Sequence, residues 1–363
     1  MHRKKQQNTE DKRTYNPETN TIDLNEVKLF QSVKSKKYET NKEILFDLKN
    51  VSLGYGSKMI IKNLNAQIKK NDFLVIIGPN GSGKSTLIKG LCRIIEPRTG
   101  QIFFNNKLIR KEFVVFQWFK LQYERMIHAF KKDRKEVIES LIWSIKNHAH
   151  AAYNSKKLAL ELAYVPQLSV FPENTTVYDF VKMGRYPWSN AIGVNANPKL
   201  EKQIIESALK NVGIYEFQHK ELEDLSGGQR QKALIALSLA QDTNTIVLDE
   251  PTNHLDIRSQ LEIIELLHKL HTKFNKTIIL VIHDINTGIK YANNVMVIQN
   301  GELVRYGSII ENIDKKMLHD VFGVDTIIVQ NKNQDYQKVQ VTNFALPSDY
   351  DKDHHLKTAH DDQ

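Results

Sequence analysis

The stretch Gly78-Pro79-Asn80-Gly81-Ser82-Gly83-Lys84-Ser85-Thr86 constrains the fold of this chain more than any other. It follows the apolar run Phe73-Leu74-Val75-Ile76-Ile77, which predicts a buried parallel strand, and a helical pattern opens at Thr86. Glycines at these positions let the backbone curl around an anion, so that successive N–H groups and a helix N-terminus face phosphate oxygens. Lys84 is then placed to neutralise charge on β- and γ-phosphates, and the Ser85 hydroxyl to ligate Mg²⁺. Strand, loop and helix in this order predict an α/β nucleotide-binding core.

Three later stretches carry matching chemistry. In Leu225-Ser226-Gly227-Gly228-Gln229-Arg230, Ser226 caps a coming helix and two glycines expose its first N–H groups, which makes a second anion site. Thr245-Ile246-Val247-Leu248-Asp249-Glu250-Pro251 reads as a buried strand with two acids at its tip, a costly arrangement unless a cation or a proton transfer uses them. Asp249 would join a Mg²⁺ shell, and Glu250 would orient or deprotonate an attacking water. Thr277 to Ile282 predicts another strand, with His283 at its carboxyl end, where open α/β sheets bind ligands. Upstream, Tyr55 sits on a turn between strands, where its ring could stack on a nucleotide base.

With the loop after the strand Ala163-Tyr164-Val165-Pro166-Gln167, these elements make the chain resemble the ATP-binding cassette family of transporter ATPases over about residues 44–323. The resemblance implies a head-to-tail dimer, homo- or heteromeric, with ATP between the P-loop of one subunit and the Ser226–Gln229 loop of the other. It implies that Tyr55 stacks on adenine and that the P-loop from Gly78 through Pro79, Asn80, Gly81, Ser82, Gly83, Lys84, Ser85 and Thr86 holds phosphates and Mg²⁺. Gln167 would sense metal and water, Asp249 hold metal, Glu250 act as base, His283 contact the γ-phosphate, and Asp256 communicate across the dimer. Thr176-Val177, Gly184-Arg185-Tyr186-Pro187-Trp188 and Met317 to Val324 are similar, more narrowly, to ATPase subunits of iron-siderophore, haem and cobalamin importers. Such subunits work at the cytoplasmic membrane face with a separate permease and an extracytoplasmic solute-binding protein. An exporter or an importer of another solute remains an alternative, as does a nucleic-acid-associated cassette.

The remainder of the chain is organised around this cassette. Residues 1–43 are polar and poorly periodic, so a disordered arm is expected; no apolar leader follows the basic start. From Ile44 come short strands, including Phe46–Leu53, Met59–Ile61 and Leu64–Ile68, which predict an antiparallel β arm. Between 111 and 154, apolar residues at three/four spacing predict an inserted amphipathic helical hairpin that the family pattern lacks. Residues 168–225 predict a helical subdomain. In the extension 324–363, Thr326–Val329 and Val339–Val341 could pair as a hairpin before a polar tail from Pro347. The charge of +9 suits an anionic partner, but a single cassette without a long coiled coil does not lead to the expectation of nucleic acid. No run reaches the ~20 apolar residues of a membrane span. The lone Cys92, expected as a small core residue, permits no internal disulfide and suits a reducing compartment.

Overall fold

The strand β1 (Ile44–Tyr55) buries Leu45, Phe46, Leu48 and Val51–Leu53, exposes Lys49 and Asn50 where its register shifts, and pairs antiparallel with β2 (Lys58–Lys69). The sequence suggests a break in β2 around Lys62 and Asn63; the strand instead runs unbroken. Asn63 takes up the irregularity in left-handed backbone, φ 49°, and its N–H donates to Ser52 Oγ at 3.0 Å. Asparagine tolerates that region better than most residues, so the ladder bulges without ending. β4 (Thr99–Phe104) and β5 (Lys107–Leu108) complete a four-stranded sheet in the order β2-β1-β4-β5.

The computed structural model describes residues 43–109, 155–167, 171–189, 197–331 and 338–345. All lie in Lys36–Gln363, one of the two units into which the chain divides. The expected arm, except Glu43, the expected hairpin over 111–154 and the tail from Pro347 lie outside the described residues. Glu43 itself is held at the start of β1: Lys70 donates to it through both its backbone N–H, at 2.8 Å, and its ammonium, at 2.6 Å.

Every residue of β3 (Phe73–Ile77) is buried, as an uninterrupted apolar run requires. The second sheet has the order β10-β9-β3-β8-β7-β6, from β6 (Leu162–Val165), β7 (Thr245–Asp249), β8 (Thr277–Val281), β9 (Asn294–Gln299) and β10 (Glu302–Ser308). Only β10 runs antiparallel. Successive residues of β3 point to opposite faces. Phe73, Val75 and Ile77 join one core with the helices, while Leu74 and Ile76 join a second core with the β arm. Each such buried side chain contributes about 1.5–3 kcal/mol.

Helix α1 (Lys84–Leu91) follows the phosphate loop and packs Leu87, Ile88 and Leu91 on the arm side. It starts two residues earlier than the pattern from Thr86 suggests, because Leu87 N–H already donates to Gly83 O at 2.9 Å. Cys92 caps its C-terminus half-buried, and burial pushes the thiol pKa up. After the short α2 (Ser155–Ala159), the region between β6 and β7 is helical. α3 (Val177–Lys182) is capped by Thr176, α4 (Pro198–Asn211) by Asn197, and α5 (Gly227–Ala240) by Ser226. Buried Arg185, on the 3₁₀ turn Met183–Trp188, binds Glu201 of α4 through two nitrogens at 2.7 and 2.9 Å. Its third bond, to Ala240 O at 2.7 Å, locks both elements to α5. Removing one member of such a buried pair costs about 3–5 kcal/mol.

The C-terminal part contributes α6 (Ile257–Phe274), α7 (Ile285–Ile289), α8 (Ile309–Asn312) and α9 (Lys315–Phe322). β11 (Asp325–Asn331) and β12 (Lys338–Ala345) then pair antiparallel. This hairpin is not a free appendage: Val341 is 1% exposed and belongs to the helix-side core. Among the described residues no helix is long and apolar enough to cross a membrane.

Candidate functional site

The site lies at the carboxyl ends of β3, β7 and β8, around the turn between β3 and α1. The turn is possible because its glycines take conformations other residues resist. Gly78 has φ 154°, and a Cβ there would sit 2.0 Å from Ile298 O; Gly83 has φ 105°, and a Cβ would meet Ile61 Cδ1 at 2.6 Å. Ser82 Oγ is buried without a hydrogen-bond partner among the described residues, which leaves a donor available inside the cradle. Lys84 is 5% exposed and donates to Gly78 O and Pro79 O, both at 2.9 Å. An ammonium has three donors, so one remains to face an anion. Burial pulls the Lys84 pKa below its ordinary value, opposed by the charges of Glu250 and Asp249.

Ser85 Oγ donates to Asp249 Oδ1 at 2.9 Å, joining the loop to the tip of β7. Burial pushes the Asp249 carboxyl pKa up, while the Ser85 bond and the neighbouring lysines oppose that shift. A buried acid beside a hydroxyl is a partial donor set suited to Mg²⁺, which is commonly held by one or two protein oxygens together with water and substrate phosphates. Among the described residues no group of three His, Cys, Asp or Glu gathers into a fuller metal cage. The residues therefore fit a nucleotide-bound Mg²⁺ and not a metal held by protein alone.

Glu250 ends the strand in left-handed backbone, φ 51°, and its N–H is tied to Val281 O of β8 at 3.1 Å. A bulky residue seldom adopts this conformation without a local reason. The turn aims its carboxylate at three partners. His283 Nε2 lies 2.6 Å from Oε1, Gln167 Nε2 donates to Oε2, and Asn253 Nδ2 donates to Oε2 at 3.2 Å. Gln167 follows β6 and His283 follows β8, so parallel register brings them to Glu250, while Asn253 is placed by the turn after β7, its N–H donating to Glu250 O at 3.2 Å.

A cleft of about 480 Å³ is lined by Asn80, Gly81, Gly83, Lys84, Ser85, Thr86, Gln167, Glu250 and His283, with Ile60 as a further wall. Tyr55 is 47% exposed at the end of β1 and does not line it. Arg98 Nη2 donates to Gly56 O beside it and fixes that turn. Ser226, Gly227, Gly228, Gln229 and Asp256 also stand outside the cleft. Ser226 Oγ accepts from Gln229 N–H at 3.3 Å, and Ser226 N–H donates to Gln229 Oε1 at 3.0 Å, a reciprocal cap. Gly228 packs against Ser259, which donates to Asp256 through its hydroxyl at 2.7 Å and its N–H at 2.9 Å. Those bonds hold the Asp256 carboxyl pKa below its usual range. The Ser226 turn and Asp256 thus share one surface of the chain.

Sequence reasoning passed over Asn253 and Ile60. Asn253 carried a weak signal, standing three residues after the acid at the strand tip. Ile60 carried none, because its place depends on how the β arm lies over the loop.

Comparison with known proteins agrees with this geometry. The family model described as ABC transporter matches residues 61–253. Petrobactin import ATP-binding protein FpuD of Bacillus anthracis is 33% identical over 279 residues, covering 77% of this chain and 86% of its own. Iron(3+)-hydroxamate import ATP-binding protein FhuC of Bacillus subtilis (strain 168) is 32% identical, covering 77% and 88%. Among solved structures, a dimeric bacterial ABC transporter cassette superposes with TM-score 0.54 at 25% identity, over 73% of this chain and 99% of that one. With the phosphate loop, the acidic strand tip and the Ser226 turn in their places, the chain belongs to the ABC transporter family, as an ATP-hydrolysing cassette.

Proposed function

We propose that this cassette energises uptake of an iron-siderophore or related metal chelate through a separate permease. The observation that carries the chemistry is the convergence of His283, Gln167 and Asn253 on the Glu250 carboxylate, at the mouth of the cleft that Lys84 and Ser85 line. In-line attack on a γ-phosphate needs an aligned water and stabilised charge more than covalent chemistry. Glu250 orients and deprotonates that water, Lys84 offsets phosphate charge, and His283 and Gln167 hold Glu250 in register while reaching the γ-phosphate side. Mg²⁺, held by Ser85 and Asp249, would neutralise phosphate charge. Tyr55 stacks on the adenine from outside the cleft.

The surface shared by the Ser226–Gln229 turn and Asp256 does not face this chain's own cleft, which supports a head-to-tail dimer in which each copy completes the other's site. The iron-chelate assignment rests on relatives named for petrobactin and iron(3+)-hydroxamate import. The working complex is then two cassettes on the cytoplasmic face of a permease, served by an extracytoplasmic binding protein. Uptake of radiolabelled ferric siderophore by cells carrying Lys84→Ala in place of the native chain tests the solute. Loss of uptake with unchanged amino-acid uptake is expected; normal iron uptake would reject the assignment.

A further inference from the structure

We infer that the C-terminal hairpin is a positioning clamp for His283, acting through Asn286. The inference rests on the proposed role of His283 at Glu250. His283 is 44% exposed, so core packing cannot fix its ring, and its place depends on the backbone on either side. On the upstream side β8 ends among fully buried residues. On the downstream side, three residues away, Asn286 forms a two-bond pair with the backbone of β12. Asn286 Nδ2 donates to Val341 O at 2.9 Å, and Val341 N–H donates to Asn286 Oδ1 at 2.8 Å.

The intervening residues are stiff. Asp284 accepts from the N–H groups of Asn286 at 3.1 Å and Thr287 at 3.2 Å, and Gly288 lies so close to Ile282 that a Cβ would stand 2.6 Å from its Cγ2. A displacement of Val341 is therefore carried to His283 with little slack. Val341 is itself sunk in the helix-side core beside Ile285 and Ile289. A pair of side chain–backbone bonds across 55 residues is more than the five-residue helix α7 needs for its own cap, which Asp284 already supplies. Asn286 neither lines the cleft nor bonds Glu250, and is thus a positioning residue.

The test measures kcat and ATP affinity of the full chain in its transporter complex for three variants. Asn286→Ala removes both bonds and should lower kcat on the order of tenfold with ATP affinity unchanged. Hydrogen exchange over 285–289 and 338–345 should rise in the same protein. Leu209→Ala opens a cavity in the same core from α4, away from the hairpin and both bonds, and it should lower Tm while leaving kcat within about twofold. His283→Ala separates the two readings. If it leaves kcat intact, the role of His283 is wrong; if it abolishes turnover while Asn286→Ala does nothing, the clamp is wrong. Losses of kcat that merely follow Tm across the Asn286 and Leu209 variants would also overturn the clamp. Should Asn286→Ala fail to fold, Asn286→Ser is read by the same split between kcat and affinity.

Discussion

At the scale of single residues, the proposed chemistry centres on one carboxylate. Glu250 reaches its partners from left-handed backbone, and each oxygen is held by a donor from a different strand end. A hydrogen bond to a charged group contributes about 1.5–3 kcal/mol. Asn253→Ala should therefore lower kcat by about tenfold with little change in KM; an unchanged kcat would show that the bond does not shape the base. Tyr55 stands apart, exposed at the end of β1 and outside the cleft wall. If its ring covers the base, Tyr55→Ala weakens ATP binding by about tenfold and leaves kcat at saturating ATP close to normal, as equilibrium binding of a fluorescent ATP analogue would measure. Undiminished binding would return Tyr55 to a structural role.

At the scale of elements, helix α5 is the clearest case of a local sequence rule at a place with a proposed function. Its reciprocal Ser226–Gln229 cap occupies two of the first-turn groups, while Gly227 and Gly228 have no intrahelical acceptor for theirs. Ser226→Ala should lower the free energy of unfolding by about 1 kcal/mol in denaturant titration. It should also reduce ATP-dependent dimerisation, measured by sedimentation, beyond what that loss of stability explains; dimerisation equal to wild type would place the turn outside the interface. Such elements were legible in the sequence because their determinants are adjacent: the glycines before Lys84, the apolar run before Asp249, the serine before two glycines. What escaped depends on distant pairing. The continuity of β2 relies on Ser52 accepting from Asn63, and the seating of the last hairpin relies on Asn286 meeting Val341. Ser52 and Val341 lie in stretches that read as strands, but nothing near either of them in the sequence names Asn63 or Asn286 as its partner.

At the scale of the whole molecule, the two faces of the central sheet divide the work. One face packs the β arm and α1 under the phosphate loop, and the other packs the helical region that carries the Ser226 turn. With the proposed catalytic groups at one set of strand ends, the proposed closure of a dimer over ATP would reach Glu250 and the helical region together. The measurement that tests this account most directly is made on Glu250→Gln with Mg²⁺ and ATP, following phosphate release, bound nucleotide and mass in one sample. The account predicts turnover reduced by at least about a hundredfold, ATP retained and a dimer that persists only with ATP. Hydrolysis at the wild-type rate, or a monomer with ATP bound, would contradict it.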